Sequence, residues 1–213
     1  MASPEDRRTA MVERQLKARG IRDPRVLAAM AEVPRERFVP ERLAGFAYDD
    51  GPLPIGEEQT ISQPYIVALM IEAADVAPGD RVLEVGAGSG YAAAVLSRIA
   101  DRVFAVEHRA SLAGSARQRL EELGYANVSI VEGDGSLGLA EAAPFDAILV
   151  AAAGDRAPEP LKRQLAIGGR LIVPVGSASL QSLVRLTRIE ADEWREDDLG
   201  GVRFVPLVGQ HGR

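Results

Sequence analysis

The chain has 213 residues, is 46% hydrophobic and 26% charged, carries a formal net charge of −6 and contains no cysteine. That length supports one domain with a full core, the acidic balance disfavours a broad surface tracking nucleic-acid phosphates, and the lack of thiols excludes disulfides and thiolate metal sites. There is no apolar run of about 18 residues to span a membrane and no apolar signal core after Met1, so a cytoplasmic protein is the expectation.

Ser3 followed by Pro4 predicts a helix start, and Gly20 predicts its stop. Asp23-Pro24 opens a second helix, with Val26, Leu27, Met30 and Val33 near helical spacing. Pro34 to Pro54 holds several prolines and glycines and reads as irregular. Ser62 precedes a third helix over about Gln63 to Ala74. Pro78-Gly79-Asp80 is a turn, and beyond it strands and helices alternate. The strands fall at Arg81 to Val85, Arg102 to Val106, Val128 to Val131, Phe145 to Val150 and within Gly169 to Pro174. Short apolar strands separated by helices predict a parallel sheet covered on both faces. Ser182 to Ile189 and Val202 to Leu207 read as two further strands joined by the acidic turn 192–201, an antiparallel pair at one side of the sheet. Trp194 in that turn reads as an edge-strand or hairpin packing residue. The expected architecture is α/β: a doubly wound, mostly parallel sheet with an antiparallel edge pair. We expect one domain over 1–213, with 1–78 an N-terminal helical layer on the substrate side and 79–213 a Rossmann-like core.

The segment Arg81-Val-Leu-Glu-Val-Gly-Ala-Gly-Ser-Gly90 runs an apolar strand into a glycine-rich turn, and Tyr91 to Ile99 then reads as a helix. Small residues let the backbone approach a ligand, and a helix start offers unpaired N–H groups. The glycines fall at 86, 88 and 90, whereas a dinucleotide fingerprint needs its third glycine at position 91, where this chain has Tyr91. Glu84 closes the first core strand and Glu107 the second, where a carboxylate can accept from both ribose hydroxyls; Asp134-Gly135 follows the third, where an acid can meet an adenine edge. Acids at three successive strand ends line the crevice where such folds bind ligands. Glu84 suits a cationic amino-acid group and would repel a pyrophosphate. Together these favour S-adenosylmethionine over NAD. Taken singly, each acid reads equally well as a solvated loop residue.

Several segments in order resemble protein-L-isoaspartate O-methyltransferases: Tyr48 to Gly56, Gln59-Thr-Ile-Ser-Gln-Pro-Tyr65, Val82 to Tyr91, Glu132-Gly-Asp-Gly135, Ala143 to Ile148, Gly168 to Gly176 and Val202 to Leu207. The stretch Gln59 to Tyr65 is the one that distinguishes this family. The resemblance implies a Rossmann-like fold and methyl transfer from S-adenosylmethionine, leaving S-adenosylhomocysteine, to the free carboxylate of L-isoaspartyl residues in aged proteins and peptides. The ester then collapses to a succinimide, which starts repair. It places the active-site serine at Ser62 and the cofactor contacts at Gln59, Thr60, Ile61, Ser62, Glu84, Gly86, Gly88, Gly90, Glu107, Asp134 and Gly135. His108, beside the expected ribose, joins them, or is an exposed neighbour. It implies no metal, and the partners expected are isoaspartyl proteins and peptides, with no nucleic acid or membrane, bound by a monomer.

The chemistry agrees with these residues. A carboxylate is ionised near neutral pH, and a sulfonium is a good leaving group, so no general base is needed. Ser62 also sits where a helix N-cap belongs, and most serines there only cap. The chain departs from the family pattern at Glu57-Glu58, where an aromatic or histidine and then a glycine are usual. Altered loop geometry and repulsion of an anionic acceptor are the expected consequences. Other readings are a relative that methylates an aspartate of a dedicated peptide, a non-catalytic S-adenosylmethionine-binding protein, and an NAD oxidoreductase.

Overall fold

In the computed structural model, which describes residues 2–212, Ser3 and Asp6 cap each other. The Asp6 N–H donates to Ser3 Oγ and the Ser3 N–H to the Asp6 carboxylate, both at 3.0 Å. This reciprocal box satisfies two donors that a helix start leaves open. It opens α1 (Pro4–Met11), which widens into a π turn at Val12–Leu16, tightens over Lys17–Arg19 and stops at Gly20 with φ 103°. Asp23 caps α2 (Pro24–Glu32) by accepting from the Arg25 N–H. Two 3₁₀ turns, Arg35–Phe38 and Glu41–Phe46, occupy the proline-rich stretch read as irregular.

Next comes a hairpin that the sequence does not signal. Strands β1 (Leu53–Gly56) and β2 (Gln59–Ile61) pair antiparallel. Glu57 and Glu58 form its two-residue turn with φ of 51° and 58°. Left-handed backbone at both central positions matches the twist of the strands. Asn-Gly is the usual signature of such a turn, so two glutamates conceal it. Helix α3 (Pro64–Ala73) follows.

The main sheet is built from β3 (Arg81–Val85), β4 (Arg102–Glu107), β5 (Val128–Glu132), β6 (Phe145–Val150), β7 (Leu165–Gly176), β8 (Gln181–Glu190) and β9 (Glu193–Val202). Between them lie α4 (Tyr91–Leu96), α5 (Ala110–Glu122) and α6 (Glu159–Arg163). The spatial order is β5-β4-β3-β6-β7-β8-β9. The first five strands in that order run parallel; β8 and β9 run antiparallel to their neighbours. This is the doubly wound, mostly parallel sheet with an antiparallel edge pair that the alternation predicts. On one face, Met11, Leu16, Met30, Phe38 and Ile71 pack with Val82, Tyr91 and Leu96. On the other, Leu83, Val85, Phe145, Ile148 and Leu171 form a second core. Burial on both faces is why Val82-Leu83 and Ile148-Leu149-Val150 read as continuous apolar runs rather than alternating ones. Among the described residues no helix is long and apolar enough to cross a membrane.

The tail differs from expectation. The acidic segment read as a turn is β9 itself, with Trp194 opposite Arg188 and Glu196 opposite Leu186. An edge strand has one flank in water, so it tolerates charged residues that would exclude it from the sheet's centre. Trp194 does pack on this edge strand, with Lys162 Nζ 4.1 Å from its ring centroid. Val202 to Leu207, expected as a strand, instead leaves the sheet after Val202. It crosses back over the sheet's carboxyl end, where the Ala153 N–H donates to the Val205 carbonyl (2.8 Å) and the Leu207 N–H donates to the Ala153 carbonyl (2.9 Å).

Strand order reverses at β3: β4 and β5 lie to one side, β6 and β7 to the other. Such a switch point leaves a crevice outside the carboxyl ends of the strands. The Glu57-Glu58 turn gives a direct stability test. An L-residue in the left-handed region costs about 1–2 kcal/mol, partly offset when glycine adds unfolded-state freedom of about 0.5–1 kcal/mol. We expect Glu58→Gly to stabilise the fold by about 0.5–1 kcal/mol and Glu58→Val to destabilise it, read by thermal unfolding. A fall in melting temperature for the glycine variant contradicts the strain.

Candidate active site

A cleft opens at the switch point, lined by the ends of the sheet strands, the hairpin and the tail, the concave kind of site in which small ligands bind. Val85, Val106, Leu149, Met70 and Tyr91 line it, together with two lips: Gln59 to Ser62, which are β2 and the residue after it, and Val205 to Val208 from the tail. Of the residues singled out in the sequence, Gln59, Thr60, Ile61, Ser62, Glu84, Gly86, Gly88, Glu107, His108 and Gly135 all line this one cleft. Gly90 and Asp134 do not.

The glycine turn is stitched to β4. The Gly86 and Ala87 N–H groups donate to the Val106 carbonyl at 2.8 and 3.2 Å. The Gly88 N–H donates to Glu107 Oε2 at 2.7 Å, and the Arg109 N–H donates to Oε1 at 2.9 Å. Gly88 has φ 53°, and a Cβ there would lie 3.2 Å from Ile55 Cδ1 of the hairpin, so the hairpin closes directly over the turn. Gly90 faces away from the cleft: a Cβ there would meet Leu120 and Ala116 of α5. Its requirement is helix packing and the left-handed start of α4.

Glu84 is 3% exposed, and its Oε2 is buried without a hydrogen-bond partner. Desolvation, and then the neighbouring charge of Glu107, push its carboxyl well above the ordinary carboxylate range, against a backbone hydrogen bond at Ala93 that lowers it. A buried acceptor left without a donor is unfavourable in the free protein. It is the kind of group that an incoming cation or N–H donor satisfies.

Asp134 turns away from the cleft. Its Oδ1 accepts from the Ser136 N–H and hydroxyl (2.9 and 2.7 Å), and its Oδ2 accepts from the Gln210 N–H (2.8 Å). Burial alone would push this carboxyl up, but the Gln210 and Ser136 donors, with His108 nearby, hold it below its usual value. Its neighbour Gly135 does reach the cleft, and a Cβ there would sit 2.5 Å from Val85 Cγ1. His108 is an exposed rim residue.

Ser62 is half-buried and lines the lip. Contrary to the N-cap reading, the residue that caps α3 is Gln63, and it does so without a side-chain hydrogen bond. Gln63 Nε2 instead donates to Asp50 Oδ1 at 2.7 Å. The helix therefore does not use the Ser62 hydroxyl. The Ser62 carbonyl accepts from Arg35 Nη2 at 2.9 Å. Glu57, one of the two glutamates at the hairpin tip, accepts from Ser111 Oγ at 2.9 Å on α5. Sequence reading missed Arg35, Tyr91 and the Val205–Val208 lip. Arg35 falls in the stretch from Pro34 to Pro54 that reads as irregular, Tyr91 reads as the first residue of the helix after the glycine turn, and Val205 to Leu207 fall in the segment that reads as a strand.

The model of the protein-L-isoaspartate(D-aspartate) O-methyltransferase family matches residues 6–212. The chain is 58% identical to protein-L-isoaspartate O-methyltransferase 2 of Pelobacter propionicus, over all of this chain and 95% of that one. It is 63% identical to a protein-L-isoaspartate O-methyltransferase of Methylorubrum extorquens, over 94% of this chain and 88% of the other. Among solved structures, a protein-L-isoaspartate O-methyltransferase superposes with a TM-score of 0.86 at 34% identity, over 96% of this chain and 67% of that one. A Plasmodium falciparum structure described as a protein-L-isoaspartate O-methyltransferase, in complex with S-adenosyl-L-homocysteine, superposes at 0.82 with 28% identity, over 94% and 98% of the two chains. With the family model matched over residues 6–212 and relatives of 58–63% identity spanning nearly the whole chain, the chain belongs to the protein-L-isoaspartate(D-aspartate) O-methyltransferase family.

Proposed function

We propose that this chain transfers a methyl group from S-adenosylmethionine to the free carboxylate of L-isoaspartyl residues in damaged proteins and peptides, initiating their repair. The observation that carries the reading is one cleft lined both by an unsatisfied buried carboxylate, Glu84, and by Ser62, whose hydroxyl the following helix does not use. Identities of 54–63% to curated members of the family support it.

The residues present fit the cofactor. Glu84 Oε2 needs a donor, and an amino-acid ammonium supplies one. Each Glu107 oxygen accepts one backbone N–H and has a further lone pair for a ribose hydroxyl. Gly86, Gly88 and Gly135 keep the floor open to close backbone approach. Asp134 Oδ1 is filled by two Ser136 donors, and Oδ2 keeps one lone pair beside the Gln210 N–H for an adenine edge; the Gly135 backbone lines the cleft beside it. Gln59, Thr60 and Ile61 cover the ligand from the hairpin, and His108 stands at its rim.

S-adenosylmethionine supplies a methyl carbon on a sulfonium that leaves without protonation. The chain's own task is to align the acceptor with that carbon, and such positioning supplies up to about 7–11 kcal/mol. The Ser62 hydroxyl donates to one oxygen of the acceptor carboxylate and leaves the other free to attack. The hairpin and the Val205–Val208 lip exclude water from the space between. We read residues 1–78 as the substrate-side layer of one domain with 79–213, because both contribute to one core. We also read the protein as a cytoplasmic monomer with no nucleic-acid or membrane partner; its net charge of −6 weighs against a surface that tracks nucleic-acid phosphates.

Radiolabelled methyl transfer to a peptide pair differing only in isoaspartate or aspartate tests the reading. Base-labile label is expected on the isoaspartyl peptide alone; label on the aspartyl peptide alone points to a dedicated partner, and none on either to a binding protein. Ser62→Ala should slow transfer roughly 10–100-fold, the loss of a charge-assisted hydrogen bond of about 1.5–3 kcal/mol. Full turnover by that variant rejects the role. Glu84 adds a pH signature. Because burial raises its folded-state pKa above the ordinary 4.5, its stabilising contribution is complete below the unfolded-state value and is lost as pH rises through the folded one. Glu84→Gln should therefore stabilise the ligand-free protein more at pH 8 than at pH 4, while weakening S-adenosylhomocysteine binding roughly 10–100-fold. Calorimetry showing unchanged affinity removes Glu84 from the cofactor site.

A further inference from the structure

Arg35 is completely buried, with 0% exposure. Its Nε donates to the Ala47 carbonyl at 2.7 Å and its Nη2 to the Ser62 carbonyl at 2.9 Å. Its guanidinium carbon lies 4.9 Å from the centroid of the Tyr91 ring, which itself lines the cleft. Nη1 has no hydrogen-bond partner. Among the described residues no carboxylate pairs with it. The adjacent Glu36 accepts from the Tyr48 hydroxyl instead. Arginine stays protonated in proteins, so this is an uncompensated buried cation touching two cleft residues.

A buried charge without a counter-ion is strongly unfavourable. Tying two carbonyls together does not require one, since a neutral amide donates as well. The two buried acids of the cleft, Glu84 and Glu107, belong to the cofactor side. An acceptor carboxylate arriving at Ser62 would supply the anion that Arg35's surroundings lack. We propose that Arg35 is a positioning residue for the acceptor: it holds the Ser62 lip through the backbone and supplies the positive potential that draws the acceptor carboxylate there. This rests on the methyl-transfer reading above.

The chemistry dictates where the effect appears. As the carboxylate oxygen bonds to the methyl carbon and the carbon–sulfur bond breaks, the acceptor's negative charge is consumed in forming a neutral ester. A fixed cation therefore favours the bound carboxylate more than the transition state. Its charge should act on KM, whereas its hold on Ser62 acts on kcat.

The test measures affinities of the S-adenosylhomocysteine-saturated protein for an isoaspartyl peptide and for its neutral carboxamide counterpart, in the wild type, Arg35→Gln and Arg35→Lys. In Arg35→Gln the preference for carboxylate over carboxamide should fall about tenfold or more, peptide KM should rise correspondingly, and S-adenosylhomocysteine affinity should stay within about threefold of the wild type, because that side of the cleft does not contact Arg35. Arg35→Lys should restore most of the preference, since it keeps the charge but not the two-carbonyl fork. A merely structural arginine would instead leave the carboxylate-to-carboxamide ratio unchanged. An unchanged ratio in Arg35→Gln, or Lys as poor as Gln, overturns the proposal. If Arg35→Gln does not fold, Arg35→Met, which removes the buried charge while filling its space, takes its place; failure of both makes Arg35 a folding residue and also overturns it. A wild type that methylates no isoaspartyl peptide removes the parent reading, whereas turnover with an unchanged ratio removes only the role of Arg35.

Discussion

Glu107 closes β4 and accepts the Gly88 N–H on one carboxylate oxygen and the Arg109 N–H on the other. Through this group the end of one strand grips the glycine turn that leaves its neighbour. The contact is possible because Gly88 adopts φ 53°, a conformation that side-chain-bearing residues seldom take. With the turn held against β4, the Glu84 carboxyl is confined beside that of Glu107, buried and without a full set of donors. The cleft's floor is thus rigid before any ligand arrives, and its polarity is set by two acids placed where the strand order reverses.

Where the two lips line it, the cleft has a different character. The lips are a hairpin and a returning tail, held by backbone hydrogen bonds and by Arg35 from beneath. A methyl donor carrying a positive sulfur and an acceptor carrying a negative oxygen need surroundings of opposite sign a short distance apart. On our reading the acids serve the first and Arg35 the second. The N-terminal layer does more than cover the sheet: it carries the 3₁₀ turn from which Arg35 reaches the Ser62 carbonyl at the cleft's lip.

How far the sequence could be read depended on whether each signal was local. Capping by Ser3 and Asp23, the stop at Gly20 and the core strands from Arg81 to Val150 were all legible, because caps and buried parallel strands leave compositional marks within a few residues. The hairpin at Leu53 to Ile61 was not, since its left-handed turn is made by Glu57 and Glu58. Nor was β9, since an edge strand half in water has the composition of a loop. That misplacement also hid Val205 to Val208 as a lip of the cleft.

The doubly wound class, the glycine turn with its acids at successive strand ends, and the family resemblance from Gln59 to Tyr65 are legible along the chain alone. These depend on residue type and spacing along the chain. Only the tertiary structure decided that Asp134 spends its oxygens on Ser136 and Gln210, that Gly90 serves helix packing, that Ser62 is released from capping, and that Arg35 lies buried behind it. Each of those outcomes turns on a partner at least two dozen residues away or on the direction a side chain takes, and neither is written in local sequence.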